Sequence, residues 1–327
     1  MKKTKYILPI IYILMLLIPY IVTSLFIRDN QNNKVPNKAT DLKDMQISLY
    51  IHNDDKVINV GCYDYICAVV AGEMPANYEM EALKAQAVAS FTYLARKIKL
   101  TDSNNNEHKG AVICDDYNHC KAYLPKDKAK EKWSDYWFNT YYPHIEQAVE
   151  SVLGEMITYD DEPINAVFHS ISNGKTESSE VVWGKKLKYL QSVSSSYDKK
   201  ATDYKTTVSF SKKEYKKLIK EALSIDLNDD ITTYISDIKK SDAKTVTSVK
   251  IASSTISGTA LRSALSLRSA SFDYKISNDK ITFTVYGYGH GVGMSQFGAN
   301  EMAKQNKTYK EILEHYYTGT KISNYEI

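Results

Sequence analysis

Cysteine is scarce in this chain. Four residues among 327, Cys62, Cys67, Cys114 and Cys120, are too few to staple a scaffold of this size with disulfides. Excess charge is missing too. Forty-two Lys and Arg against 39 Asp and Glu leave a formal net charge of +3, so no strong field for nucleic acid arises, and no nucleic-acid partner is expected. The glycine-rich stretch at 287–299 has neither the lysine of a Walker loop nor an acid at the dinucleotide spacing, which argues against nucleotide binding. His169 and Ser170 could form a nucleophilic pair, but no acid stands nearby to orient the imidazole, and a structural histidine is the simpler reading.

What is present begins with one long apolar run. Residues 6–27 carry no charge, are preceded by Lys2, Lys3 and Lys5, and are long enough to span a bilayer. The positive flank keeps the N-terminus cytoplasmic and sends the rest outside. The run is long for a signal-peptide core and is followed by no small-x-small cleavage site, so an uncleaved anchor is expected over 1–28. The polar stretch 29–45 reads as a flexible tether. Beyond it, apolar residues at 43% and charged residues at 25% describe an ordinary globular protein. Its pattern is a mixed α/β (α+β) one. A strand is expected over 45–50, a helix over 77–97 with Asn77 as cap, and a helix over 144–153. Paired strands are expected at 156–159 and 164–168, and a smaller inserted α+β lobe over about 194–280.

The chemistry centres on Glu73, in Ala-Gly-Glu-Met-Pro at 71–75. Gly72 and Pro75 interrupt the periods on either side, so the acid sits at a bend between packed elements. Partial burial there would raise its pKa, as a general acid working near neutral pH requires. The alternative is a glutamate that merely faces the dipole of the following helix. Four further residues, His108, Cys114, His119 and Cys120, offer the ligands zinc prefers. Such a site would clamp a loop, because four protein ligands leave no open position; a Cys114–Cys120 disulfide, or free thiols beside surface histidines, are the other readings. Cys62 and Cys67 fall in or beside an apolar run and read as buried side chains. Residues 133–142 are crowded with aromatics. In the last glycine-rich stretch, the glycines would let backbone approach a ligand and aim His290, Ser295 and Gln296 into a cleft.

Three motifs together resemble the stage II sporulation protein D and amidase-enhancer family: Ala-Gly-Glu-Met-Pro with Glu-Ala-Leu-Lys-Ala-Gln-Ala-Val-Ala (71–89), Phe-His-Ser-x-Ser-Asn-Gly-Lys-Thr-Glu with Val-Trp-Gly (168–184), and Gly-His-Gly-Val-Gly-Met-Ser-Gln-Phe-Gly-Ala (289–299). The resemblance covers roughly residue 46 to the end. It implies an extracytoplasmic α+β catalytic domain behind a transmembrane anchor in the mother-cell membrane, facing the intermembrane space during engulfment. The activity implied is that of a lytic transglycosylase, a lyase that cuts the β-1,4 bond between N-acetylmuramic acid and N-acetylglucosamine in peptidoglycan and leaves a 1,6-anhydro sugar. Implied partners are peptide-free glycan strands, the amidase stage II sporulation protein P, and stage II sporulation protein M. Glu73 would be acid and base in turn, with Gln86, Tyr93, Arg96, His169, Ser170, His290, Ser295 and Gln296 as sugar-binding candidates. The His/Cys cluster is similar to the structural Zn2+ site of clostridial members. Two positions depart from the family pattern: Phe91 replaces the arginine of an Arg-Thr-Tyr run, leaving Arg96 as a partial substitute, and Asn173 replaces glycine.

Overall fold

The computed structural model describes residues 42–101, 108–117 and 119–326. The expected anchor lies outside the described residues, among which no helix is long and apolar enough to cross a membrane. The chain divides into two units, Met1–Asp44 and Met45–Ile327, and the second carries every motif named above.

The second unit opens with a hairpin of β1 (Gln46–Ile51) and β2 (Lys56–Gly61), with Ile47 and Leu49 of β1 buried. Helix α1 (Cys62–Glu73) follows directly, then α2 (Met80–Leu100). The periodicity predicts one apolar stripe on α2. Instead the helix is buried nearly all round from Ala82 to Ala95, because Ala82, Ala85, Ala87 and Ala89 are small enough to let neighbours approach its other faces. Its buried polar groups are satisfied: Thr92 Oγ1 donates to the Val88 carbonyl (2.6 Å) and accepts from the Ile157 N–H (2.9 Å). Asn77 is not the cap. Residues 75–78 close a turn of their own, Glu79 takes the cap position, and the Glu79 N–H is held by Asn300 Oδ1 at 2.8 Å.

Strand β3 (Ile113–Cys114) runs parallel to β1. Helices α3 (Lys126–Lys132) and α4 (Asp135–Val152) come next. Helix α4 starts well before His144 because Ser134 caps it, accepting from the Trp137 N–H, and Pro143 is tolerated inside. Strand β4 (Glu155–Tyr159) pairs with β5 (Glu162–Pro163), not with 164–168. Asp160 and Asp161 both have positive φ, so a two-residue turn closes the hairpin at once and releases the chain after Pro163. Phe168 instead opens β6 (Phe168–His169), and α5 (Ser179–Trp183) follows.

The inserted lobe contains β7 (Lys205–Ser211), α6 (Lys212–Leu223), β8 (Ile235–Lys240), β9 (Val246–Ile251), β10 (Ser254–Ile256), α7 (Gly258–Ala264), β11 (Phe272–Ser277) and β12 (Lys280–Tyr286). Its two three-stranded antiparallel sheets, ordered β11-β12-β7 and β10-β9-β8, enclose a core around Tyr215, Tyr234, Phe272 and Phe283. The lobe runs on to Tyr286, because β12 is the central strand of its first sheet. The chain then returns through β13 (Met294–Ser295), α8 (Gln296–Lys304), α9 (Tyr309–Tyr316) and β14 (Lys321–Asn324). Helix α2 packs against α1, α4, β4, α8 and α9, so it is the axis of the main core.

Strand β13 lies parallel to β6, pairing Met294 with Phe168 and Ser295 with His169. The glycines of 287–293 serve this pairing. Gly287, Gly289 and Gly293 bring backbone against the chain's own 167–172 segment, where the sequence suggests a ligand. Gly293 has φ +71, and a Cβ there would lie 2.1 Å from the Val167 carbonyl oxygen. Both surfaces are backbone and neither can yield, so Gly293→Ala is expected to cost about 3 kcal/mol or more, read as a lowered urea midpoint.

Candidate active site

Glu73 is the last residue of α1; Met74 is already extended. A carboxylate at a helix C-terminus faces the negative end of the dipole, which disfavours its charge. The dipole-partner reading, which needs the acid at a helix start, therefore does not hold. Burial pushes the Glu73 pKa up, against the opposing effects of Lys121 and of the Ala122 N–H, which donates to Glu73 Oε1 at 2.8 Å. Gly72 makes this contact possible: a Cβ there would come within 3.1–3.2 Å of Ala122. Lys121 is itself buried, its ammonium 3.9 Å from the centre of the Phe168 ring and 4.5 Å from that of Tyr93. Burial pushes its pKa down to about 8, and Glu73 is the main influence holding it up.

Glu73 opens into a cavity of about 360 Å3 lined by residues 71–76 together with Tyr78, Trp133, Trp137, Ser170 and Gln296. Of these described lining residues, Glu73 is the sole carboxylate. Three parts of the fold converge here: the α1 end, the α3–α4 junction and the β6/β13 pair. Gln296 begins α8 and its Nε2 donates to Gln86 Oε1 at 3.2 Å, while Gln86 Nε2 donates to Ser90 Oγ. Gln86 is therefore buried behind Gln296, as its support. The Ser170 carbonyl accepts from the Phe297 N–H at 3.0 Å, which fixes the β6 end against α8.

The remaining sequence candidates lie elsewhere. Ser295 is fully buried; its Oγ accepts from the Gly298 N–H as helix cap and donates to Asp198 Oδ1 at 2.8 Å. That cap is why α8 starts at Gln296, ahead of the Asn300 start expected from the pattern. His169 is buried and its Nδ1 donates to the Val292 carbonyl at 3.1 Å; burial pushes its pKa down to about 4, so it stays neutral. His290 accepts the Val292 N–H at Nδ1, stands 5.3 Å from the Trp183 ring, and is pushed well below the usual histidine range by burial, with His169 adding to the effect. Tyr93 and Arg96 line a different cavity, of about 430 Å3, where Arg96 Nη1 donates to the Pro163 carbonyl. Phe91 is in the core, edge-on to Tyr325, so Arg96 does not take over its place in the Glu73 cleft. Asn173 Nδ2 donates to Ser271 Oγ and to the Ala243 carbonyl, tying the site loop to the lobe.

Sequence reasoning missed Lys121 and the pair Trp133/Trp137 as site residues, and it missed Asp198, the buried partner of Ser295. Asp198 is a buried carboxylate, raised in pKa by burial, that accepts from the Ser172 N–H and from Ser295. Nothing around it in the sequence marks it. The indoles had a signal in the aromatic density of 133–142.

His108, Cys114, His119 and Cys120 do converge. One ligand atom from each lies within 4.8 Å of all the others, and the cysteines carry free thiols. Tetrahedral zinc, with bonds of about 2.3 Å to sulfur and about 2.0 Å to nitrogen, sets S···N edges of about 3.5 Å. Three of the four S···N separations are 3.5, 3.6 and 3.6 Å, and the His108 Nε2 to His119 Nδ1 separation is 2.9 Å, shorter than the N···N edge of about 3.3 Å that the same geometry sets. The donor set fits such an ion, and the three S···N edges match it. Cys120 is followed directly by Lys121 and Ala122, the two residues that act on Glu73.

The family model described as "Stage II sporulation protein" matches residues 50–159, which hold Glu73 and the His/Cys cluster. "Stage II sporulation protein D" of Bacillus subtilis (strain 168) is 38% identical over 280 residues, covering 85% of this chain and 79% of that protein. Its counterpart in Bacillus amyloliquefaciens is 38% identical over 281 residues, with the same coverage. The "Amidase enhancer" of Bacillus subtilis is 26% identical over 314 residues, 79% of this chain and 40% of that protein.

Proposed function

This chain belongs to the stage II sporulation protein D family, and from that membership we propose that it is a lytic transglycosylase acting on peptidoglycan during sporulation. The observation that carries the reading is a single half-buried carboxylate, its pKa raised by burial, in an open cleft lined by aromatic and amide side chains. Hydrolytic glycosidases use two carboxylates, to activate water or to trap the sugar covalently. A transglycosylase needs one, because the nucleophile is the C6 hydroxyl of the muramic acid residue itself. Protonated Glu73 gives its proton to the glycosidic oxygen as the C1–O4 bond breaks. The C6 oxygen then closes on C1, and the Glu73 carboxylate takes the C6 proton, which restores the acid. Between the two steps the Ala122 N–H and the Lys121 charge stabilise the carboxylate. Gln296, held by Gln86, and Ser170 supply polar contacts to the strand.

His108, Cys114, His119 and Cys120 would hold a structural Zn2+, whose chemistry there is to fix the loop that carries Lys121 and Ala122. The apolar run at 6–27 would anchor the chain, with the second unit outside the cytoplasm. Glycan strands stripped by the amidase stage II sporulation protein P would be the substrate, and stage II sporulation protein M the membrane partner. A second reading follows from the likeness to the amidase enhancer: a glycan-binding activator that does not itself cut.

The test is product analysis by mass spectrometry on peptide-free glycan strands. Anhydro-muramyl ends support the transglycosylase; binding without cleavage, with the amidase present, supports the activator. The pH profile adds a sign. The acid must be protonated, so kcat falls as pH rises through the Glu73 pKa, at a value above the ordinary 4.5. Lys121→Met removes the main influence lowering that pKa, and the falling limb is expected to move to higher pH. A limb that stays in place would separate Lys121 from the titration.

A further inference from the structure

The cleft contains more aromatic surface than acid–base chemistry requires. Trp133 ends α3, and Trp137 sits one turn into α4, with the cap residue Ser134 between them. The Ser134 hydroxyl accepts from the Trp137 N–H, which fixes how the two indoles stand relative to each other. Each is backed by a ring from the same helix: Trp133 by Tyr142 (6.1 Å between centroids) and Trp137 by Tyr141 (4.5 Å). Tyr142 is itself buried, so the backing is rigid. Both indoles nonetheless remain half-buried and line the Glu73 cavity. Large apolar rings held at the wall of an open cleft, when a small rearrangement could bury them, mark a binding surface.

We propose that Trp133 and Trp137 form a stacking subsite for the pyranose rings of a glycan strand, placing the scissile bond at Glu73. The inference rests on the reading above that the cleft takes such a strand. The lining chemistry selects this occupant. Apart from Glu73 the lining is uncharged, which suits neither a polyanion nor a charged peptide stem. Flat aromatic faces match the apolar C–H face of N-acetylhexosamines, and Gln296 and Ser170 in the same lining offer amide and hydroxyl groups for the sugar's polar edge.

The full-length protein carrying Glu73→Gln, solubilised in detergent, allows binding to be measured without cleavage. Trp183→Phe in the same chain leaves tryptophan fluorescence to the two indoles of the cleft. Peptide-free glycan strands are then titrated while emission and acrylamide quenching are followed. Binding is expected to shift the emission and shield the indoles from quencher. Read by isothermal titration calorimetry, since the double variant keeps no indole in this background, Trp137→Ala is expected to weaken binding about tenfold, about 1.4 kcal/mol, and the Trp133→Ala/Trp137→Ala double variant by about a hundredfold. Trp137→Phe, which keeps a flat ring, should restore most of the affinity, which separates stacking from a folding defect. Full affinity in the double variant would overturn the subsite and leave the glycan cleft standing. Failure of the parent protein to bind strands at all would overturn both.

Discussion

Glu73→Gln is expected to abolish anhydro-muramyl products, with a loss of about a thousandfold or more in kcat, since it removes both the proton donor and the later acceptor. The fold should survive. The glutamine carbonyl can still accept the Ala122 N–H that now meets Oε1, and the substitution takes a disfavoured charge away from a helix C-terminus. Melting should therefore be unchanged or slightly raised, and strand binding retained. The readout is mass spectrometry of digested glycan, with circular dichroism as the folding control. Products that persist in the variant would move the chemistry away from Glu73. Hydrated reducing ends in place of anhydro ends would mean that water is the nucleophile, and a second carboxylate would have to act with Glu73.

Removal of zinc is expected to have the second large effect. The purified protein should carry one equivalent by elemental analysis. Stripping it with a chelator, or replacing Cys120 by Ser, should lower the melting temperature by about 10 °C, because the proposed ion would close the loop between α2 and α3 and its largely buried donors would lose it. Activity should fall more than strand affinity. The proposed ligand Cys120 lies two residues from Ala122, whose N–H holds the carboxylate proposed as the acid, while the indoles sit beyond, at the end of α3 and on α4. Protein without zinc that melts normally would return the cluster to the reading of free thiols beside histidines.

Much of the local structure was legible because it is written in short-range pattern. The alternation at β1, the helix formers of α2 and the strands of the lobe all depend on neighbours a few residues apart. One error fell where a distant group decides: Asn300 holds the Glu79 N–H, and Asn77 is not the cap. Another was local: two left-handed aspartates close the turn early, so 164–168 lost its hairpin partner. The single stripe on α2 became burial all round, since a run of alanines permits approach from any side but does not say which elements will arrive.

The candidate site divides in the same way. The sequence by itself determined the carboxylate, the set of His and Cys donors, and the motifs that place the chain in its family, because each is carried by residue type and spacing. Only the tertiary structure decided what surrounds them. It put Glu73 at the end of a helix rather than the start, brought Lys121 and Ala122 to it from the His/Cys loop, sent Arg96 to another cavity and set two indoles in the same cleft as Gln296. A pKa, a stacking wall and a metal cage are properties of atoms near in space, and nearness between residues fifty or two hundred positions apart is fixed by packing around α2, not by any local signal.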